Sequence, residues 1–241
     1  GGVSIVDSTI RDNSTNGVNG HGGAIFVHGG ATIINSSLRD NFTTGAQSAG
    51  GALDSSGGDV IVINSTFSGN STTGTGLGSA GGAISTDHNP LTLINSTLSN
   101  NASYGRGGGI DAGQTVTLIN STVVDNRSNA DDGGGIYSQF GPVTIHNSIV
   151  ARNSDAGTNP DISTGGTLDV QHSLIGDNTG TSLIETGSIT PDGNGNFIGD
   201  SSSGGVIDPG LGPLAFNGGL TLTHALLAGS LAIDSGDDAL A

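Results

Sequence analysis

Seven copies of one phrase run along the chain, and an internal repeat restricts the fold more than composition or charge can. The clearest copy is Leu91-Thr92-Leu93-Ile94-Asn95-Ser96-Thr97-Leu98-Ser99-Asn100-Asn101. With Asn95 as position zero, the zero column reads Asp7, Asn35, Asn64, Asn95, Asn120, Asn147 and His172. Position +1 is always serine (Ser8, Ser36, Ser65, Ser96, Ser121, Ser148, Ser173). Position +6 is always asparagine (Asn13, Asn41, Asn70, Asn101, Asn126, Asn153, Asn178). Aliphatic residues recur at −4 and −2, as in Leu91 and Leu93, and an apolar residue recurs at +3, as in Leu98. The steps between zero positions are 28, 29, 31, 25, 27 and 25 residues.

Alternation at −4 and −2 has the period of a strand. A second strand is expected around Ile25, Leu53, Ile84, Ile110, Ile136 and Ile162, ten or eleven residues before each zero, and a third around the +3 residue. Three short strands per copy and no helical period describe a β-solenoid, in which each coil buries its inner face only by stacking on the next, about 4.8 Å away. Asparagines at zero and +6 suit corners, with side chains turned inward to serve unpaired backbone groups and stacked into ladders. Glycine runs before the second strand suit a corner with positive φ. Variable length falls between Asn+6 and the glycines, in residues 43–49 or 71–80, so loops should leave from one edge.

Composition agrees with a thin aliphatic column rather than a wide core: 32% of residues are hydrophobic and 3% aromatic. Glycine, 45 of 241 residues, shows no collagen period. The net charge is −16, with no lysine and five arginines, which disfavours nucleic acid and anionic membrane as partners. No apolar run approaches the roughly 18 residues of a membrane span. Cysteine is absent, so neither a disulfide framework nor thiol chemistry is expected. Methionine and a signal peptide are also absent, so the chain is expected to belong to a longer product.

From Asp161 the pattern loosens, and residues 179–205 read as loop and irregular coil. The end of the chain contains NGGLTLTHALL (residues 217–227) and GSLAIDSGD (residues 229–237). These phrases resemble the C-terminal signature of the choice-of-anchor Q family of bacterial surface proteins, with leucine at Leu220 and Leu231 where proline is usual there. The GGAI and INST coils resemble that family's right-handed parallel β-helix of pectate-lyase-like shape. The resemblance implies a secreted, surface-displayed protein whose anchor follows the signature and differs between members; it implies no activity. The expected fold is all-β: a right-handed parallel β-helix of about seven to eight coils over residues 1–180, with residues 181–241 as an irregular last coil and cap-like segment of the same domain.

Polysaccharide lyases on this architecture need a basic residue and often Ca²⁺. Arg11, Arg39, Arg127 and Arg152 stand beside the Asn+6 corner and Arg106 in a loop; all five read as solvated arginines. The histidines His21, His28, His88, His146, His172 and His224 lack zinc-ligand spacing. Asp192-Gly193-Asn194-Gly195-Asn196, followed by Asp200, has the alternating oxygens of a calcium loop but no bidentate glutamate, and reads first as a Gly/Asn turn, with Ca²⁺ as the alternative. Asn-x-Ser/Thr sequons coincide with the corners and read as ladder positions. No catalytic, cofactor or metal residue is assigned.

Two columns concern the surface. Position −1 (Val6, Ile34, Ile63, Ile94, Ile119, then His146 and Gln171) should form an outward apolar stripe that needs a cover. Position −3 (Ser4, Thr32, Ile61, Thr92, Thr117, Thr144, Asp169) is expected to point inward unless a bend intervenes. The apolar tail, residues 220–233, is expected either to fold back over the stripe or to pair with the next molecule head to tail. The leading expectation is a non-enzymatic extracellular structural or adhesive surface protein that self-associates, head to tail or laterally. The alternatives are a polysaccharide lyase or hydrolase and a non-catalytic binder of surface glycans. A groove gathering arginine, aspartate and an aromatic ring would favour the alternatives.

Overall fold

In the computed structural model, which describes residues 1–241 apart from Leu77, Ser188 and Ser203, the repeat winds into a parallel β-solenoid. Each coil contributes one strand to each of several parallel sheets. Sheet 1 holds the −4 to −1 segments, from Val3–Val6 through Leu91–Ile94 to Leu168–Gln171, seven strands among the described residues. Sheet 2 holds the +2 to +4 segments, such as Thr97–Ser99, and has eight strands, the last being Phe197–Ile198 within the stretch read as irregular coil. Sheet 4, the second expected strand, runs from Ile25–Val27 to Ile162–Thr164 in six strands. These six correspond to about six complete turns with partial turns at the ends, fewer than the seven to eight suggested by counting corners.

The coil has four strands rather than three. Two-residue strands just after the Asn+6 corner, such as Ser71–Thr72 and Ala102–Ser103, form a five-stranded sheet 3 among the described residues. Their inward residues are hydroxyls, which leave no aliphatic period to detect. Buried Thr72 and Ser103 donate to the carbonyls of Ser79 and Gly105, tying down the base of each outgoing loop. The aliphatics of sheet 4 stand at the first strand position, not at its centre.

Ladder register holds every column in line: Val60, Leu91 and Val116 stack, as do Phe67, Leu98 and Val123, and Leu53, Ile84 and Ile110. These columns are wholly buried and form one core along the axis. The Asn+6 side chains form the expected ladder from Asn13 to Asn153; Asn178 stands outside it, donating to the Leu183 carbonyl, and Asp161 accepts from Asn153 in its place. Asn70 donates from both N and Nδ2 to Asn101 Oδ1, and Asn101 repeats this onto Asn126.

The zero corner differs from expectation. Asn64 and Asn95 are exposed, and the zero residues Asp7, Asn35, Asn64, Asn95, Asn120, Asn147 and His172 all adopt φ between 48° and 50°. The inward residue is the following serine. Buried Ser65 donates from N to Ser96 Oγ, and its own Oγ donates to the carbonyl of Ile63. Asparagine is therefore selected at zero for its tolerance of left-handed backbone, not for inward bonding. Asn95→Gly is expected to change stability by only a few tenths of a kcal/mol, whereas Asn95→Val should cost about 1–2 kcal/mol, read from urea denaturation. At the opposite corner Gly50, Gly81 and Gly107 have φ between 62° and 65°, as glycine runs there require.

Sheet 1 alternates as a two-sided sheet must, so both −1 and −3 face outward. Ile61 at −3 is exposed, and Thr32, Thr92 and Thr117 are half-buried on the same side as Ile34, Ile94 and Ile119. The inward orientation expected for −3 is wrong by one step of the strand period. The tail folds back on its own chain, but across the outer side of sheet 2 rather than over this stripe. A hairpin of Leu211–Ala215 and Thr223–Leu226 runs along the solenoid. Thr221 Oγ1 donates to the Asn64 carbonyl, Thr66 Oγ1 to the Leu222 carbonyl, and His224 Nε2 lies 3.0 Å from Ser99 Oγ. Val124, Ala151, Leu174 and Phe197 on sheet 2 pack with Ile207 and Leu211 of the tail in a second apolar cluster.

Candidate functional site

Each sheet 4 strand has three residues, with the first and third facing the core and the middle one facing out. Register places the middle residues in one outward column: Phe26, Asp54, Ser85, Asp111, Tyr137 and Ser163. The loops that leave sheet 3 wall one side of this column. The residue just before each left-handed glycine stands there: His21, Ala49, Ala80, Arg106 and Asp132. Two large side chains at His21 and Arg106 are thus separated by two alanines.

At the first end, His21 Nδ1 lies 2.6 Å from Asp54 Oδ2 and covers that carboxylate, which is only 1% exposed. The His21 ring stacks on Phe26 at 4.8 Å, and His28 meets the same ring edge-on at 4.7 Å. His28 Nδ1 is held 2.8 Å from Ser56 Oγ. Burial pushes the Asp54 carboxyl above its ordinary range; the His21 charge opposes this and Asp87 adds to it. Asp54 Oδ1 is buried without a hydrogen-bond partner.

At the other end, Arg106 lies over the Tyr137 ring, 4.7 Å from its centroid, with Nε 3.5 Å from Asp111 Oδ1. That is an ion pair but too long for a strong hydrogen bond. The Asp111 side chain is 13% exposed, and its carboxylate accepts no hydrogen bond among the described residues. Burial pushes its pKa up to about 6; Arg106 pulls it down, and Asp54, Asp87 and Asp131 push it up further. Aromatic rings, a poorly satisfied carboxylate and a cation thus meet on one face, the pattern that marks recognition sites.

The other sequence candidates are dispersed. Arg11 pairs with neighbouring Asp12 at 3.3 Å and Arg152 with Asp125 at 2.7 Å, while Arg127 is exposed. Arg39 stacks on Arg11 in sheet 2. His146 faces Asp169 at 3.5 Å on sheet 1. His172 serves the tail: its Nδ1 lies 3.2 Å from the Ser235 carbonyl and its Nε2 3.7 Å from Asp237. They line a crevice of about 540 Å³ under the tail, beside Asn147 and Phe197. At the proposed calcium loop, Asp192 Oδ1 accepts from the backbone N of Asn194 and Asn196, and Oδ2 from Asn196 Nδ2. Both carboxylate oxygens close the turn, as the Gly/Asn-turn reading describes.

Of the five arginines, only Arg106 stands on the outward face of sheet 4, where its reading as a solvated loop arginine does not hold: its side chain is 29% exposed. The column of Phe26, Asp54, Asp111 and Tyr137 escaped sequence reasoning because its chemistry changes at every coil. Its one signal was position, one residue after each leading aliphatic of sheet 4.

A family model described as a right handed beta helix region matches residues 1–197. No curated protein and no solved structure matches the chain.

Proposed function

The chain belongs to the right handed beta helix family, and from that premise we propose that it is an extracellular surface protein, of the choice-of-anchor Q kind its tail resembles, which adheres by binding glycans on the outward side of sheet 4. The observation that carries this reading is the meeting of Arg106, Asp111 and Tyr137 on one face, with Asp54 two coils away and His21 and Phe26 three coils away along the same face. Sugars present apolar C–H faces and hydroxyl donors. A flat ring serves the first and a carboxylate lacking donors serves the second.

Binding is favoured over turnover. Glycoside hydrolysis needs two accessible carboxyl groups across the scissile bond. Asp54, 1% exposed behind His21, is badly placed to be the second of them. Adhesion is placed ahead of fibre growth through the tail, because Ile207, Leu211, Leu231 and Ala232 pack on the chain's own solenoid, while Phe216, Leu220 and Leu227 stay exposed.

Titration with oligosaccharides, followed by NMR or calorimetry, tests the reading. Tyr137→Ala should weaken binding by about tenfold or more, the loss expected for one stacking contact. Absence of binding to any oligosaccharide, or binding indifferent to Tyr137, would remove it.

A further inference from the structure

We propose that the surface formed by Arg106, Asp111 and Tyr137 selects glycans carrying a protonated amine, with Asp111 as the ammonium acceptor and Tyr137 as the stacking surface. The inference rests on the glycan-binding reading and names its ligand class. His21 and Arg106 stand three coils apart, about 14 Å along the axis. Between them the wall residues are Ala49 and Ala80; Asp54 and Ser85 beneath are 1% and 2% exposed, so contact with a polymer centres on Asp111, 13% exposed, with Arg106 and Tyr137 beside it.

Charge decides the class. Close enough to act on Asp111 are the carboxylates Asp54, Asp87 and Asp131, against the single cation Arg106. A uronate placed there would meet four carboxylates and one guanidinium, in a protein of net charge −16. An ammonium would meet the opposite field. The hydrogen-bond inventory points the same way. Asp111 accepts no hydrogen bond among the described residues, and Arg106 is turned over the Tyr137 ring with its Nε 3.5 Å from the carboxylate. An ammonium carries three donors and no acceptor, which matches a surface rich in acceptors and short of donors. A neutral hydroxyl satisfies the carboxylate less strongly, since charge-assisted bonds are about twice as strong as neutral ones.

The test compares three oligomers of equal length in one buffer below the amine pKa: glucosamine, N-acetylglucosamine and galacturonate. The glucosamine oligomer should bind about tenfold tighter than the acetylated one, and the galacturonate oligomer weakest. Asp111→Asn should abolish that preference, lowering affinity for the glucosamine oligomer about tenfold more than for the acetylated one. Asp40→Asn, an equal loss of charge at an exposed position away from sheet 4, should leave the preference intact. Equal affinity for the amine and its acetylated form overturns the inference while the glycan-binding reading stands. So does a preference that Asp40→Asn reduces as much as Asp111→Asn, since attraction would then be to net charge alone. Binding to none of the three sinks both this inference and the reading beneath it.

Discussion

Asn101→Ala is expected to lower the free energy of unfolding by about 3–5 kcal/mol, more than a typical substitution on a protein this polar. The side chain is 1% exposed and sits inside four hydrogen bonds. Asn101 Oδ1 accepts from N and Nδ2 of Asn70 at 3.0 and 2.9 Å. Its Nδ2 donates to the carbonyl of Phe67 at 3.0 Å and to Asn126 Oδ1 at 2.9 Å. Alanine leaves two buried donors on Asn70 without an acceptor, and each such orphan costs about 1–3 kcal/mol. The exposed Asn95, only six residues earlier, should cost about 1 kcal/mol as alanine, the penalty of a left-handed alanine with no buried donor left unpaired. Urea denaturation followed by circular dichroism separates the two. If Asn101→Ala and Asn95→Ala cost the same, the ladder does not hold the coils together.

Stability is also expected to fall as pH rises from about 4 to about 7, and Asp161 should account for most of the fall. The asparagine ladder ends on this residue: Asn153 donates to Asp161 Oδ1 from N at 3.1 Å and from Nδ2 at 2.8 Å, and Asp177 N donates to Oδ2 at 2.7 Å. Asp161 is wholly buried, and burial pushes its pKa up to about 7 despite these donors. A carboxyl whose folded pKa lies above its unfolded value holds more protons when folded. Its contribution is therefore full below about 4 and is lost as pH rises through about 7, an effect on the order of 4 kcal/mol at most. Asp111, raised to about 6, and Asp54, also raised, act in the same direction. Asp161→Asn isolates the larger share: it preserves an acceptor for Asn153, removes the buried charge and loses the bond from Asp177. The variant should flatten most of the decline in urea midpoint between pH about 4.5 and about 8. A slope left unchanged by the substitution would assign the pH dependence elsewhere.

What could be read from the residues followed how each position is selected. Asn101 and its column recur because a short side-chain amide accepts from the preceding coil through Oδ1 and donates to the next through Nδ2, so ladder and register were legible. Ser96 and its column are equally invariant, yet the same corner offered Asn95 as a rival inward residue. Only backbone φ shows that Asn95 takes the left-handed turn while Ser96 turns in. Sheet 3 was hidden because two residues with a buried hydroxyl carry no hydrophobic period. The binding face was hidden for the opposite reason. Repeats expose what every coil shares, whereas Asp54, Asp111 and Tyr137 are what single coils do differently.

The tail fixes the number of coils between residues 64 and 172. Its contacts touch Asn64 and Thr66 in one coil, Ser99 in the next, then Asn147 and His172 further along. Solenoids evolve readily by duplicating or losing whole coils, since a new coil reproduces the ladders on both of its sides. Here a coil gained or lost between residues 64 and 172 would carry one end of the hairpin about 4.8 Å out of step with its partners. Duplication before residue 64 would disturb none of them. The folded-back segment therefore acts as a gauge that confines neutral growth of this lineage to one end.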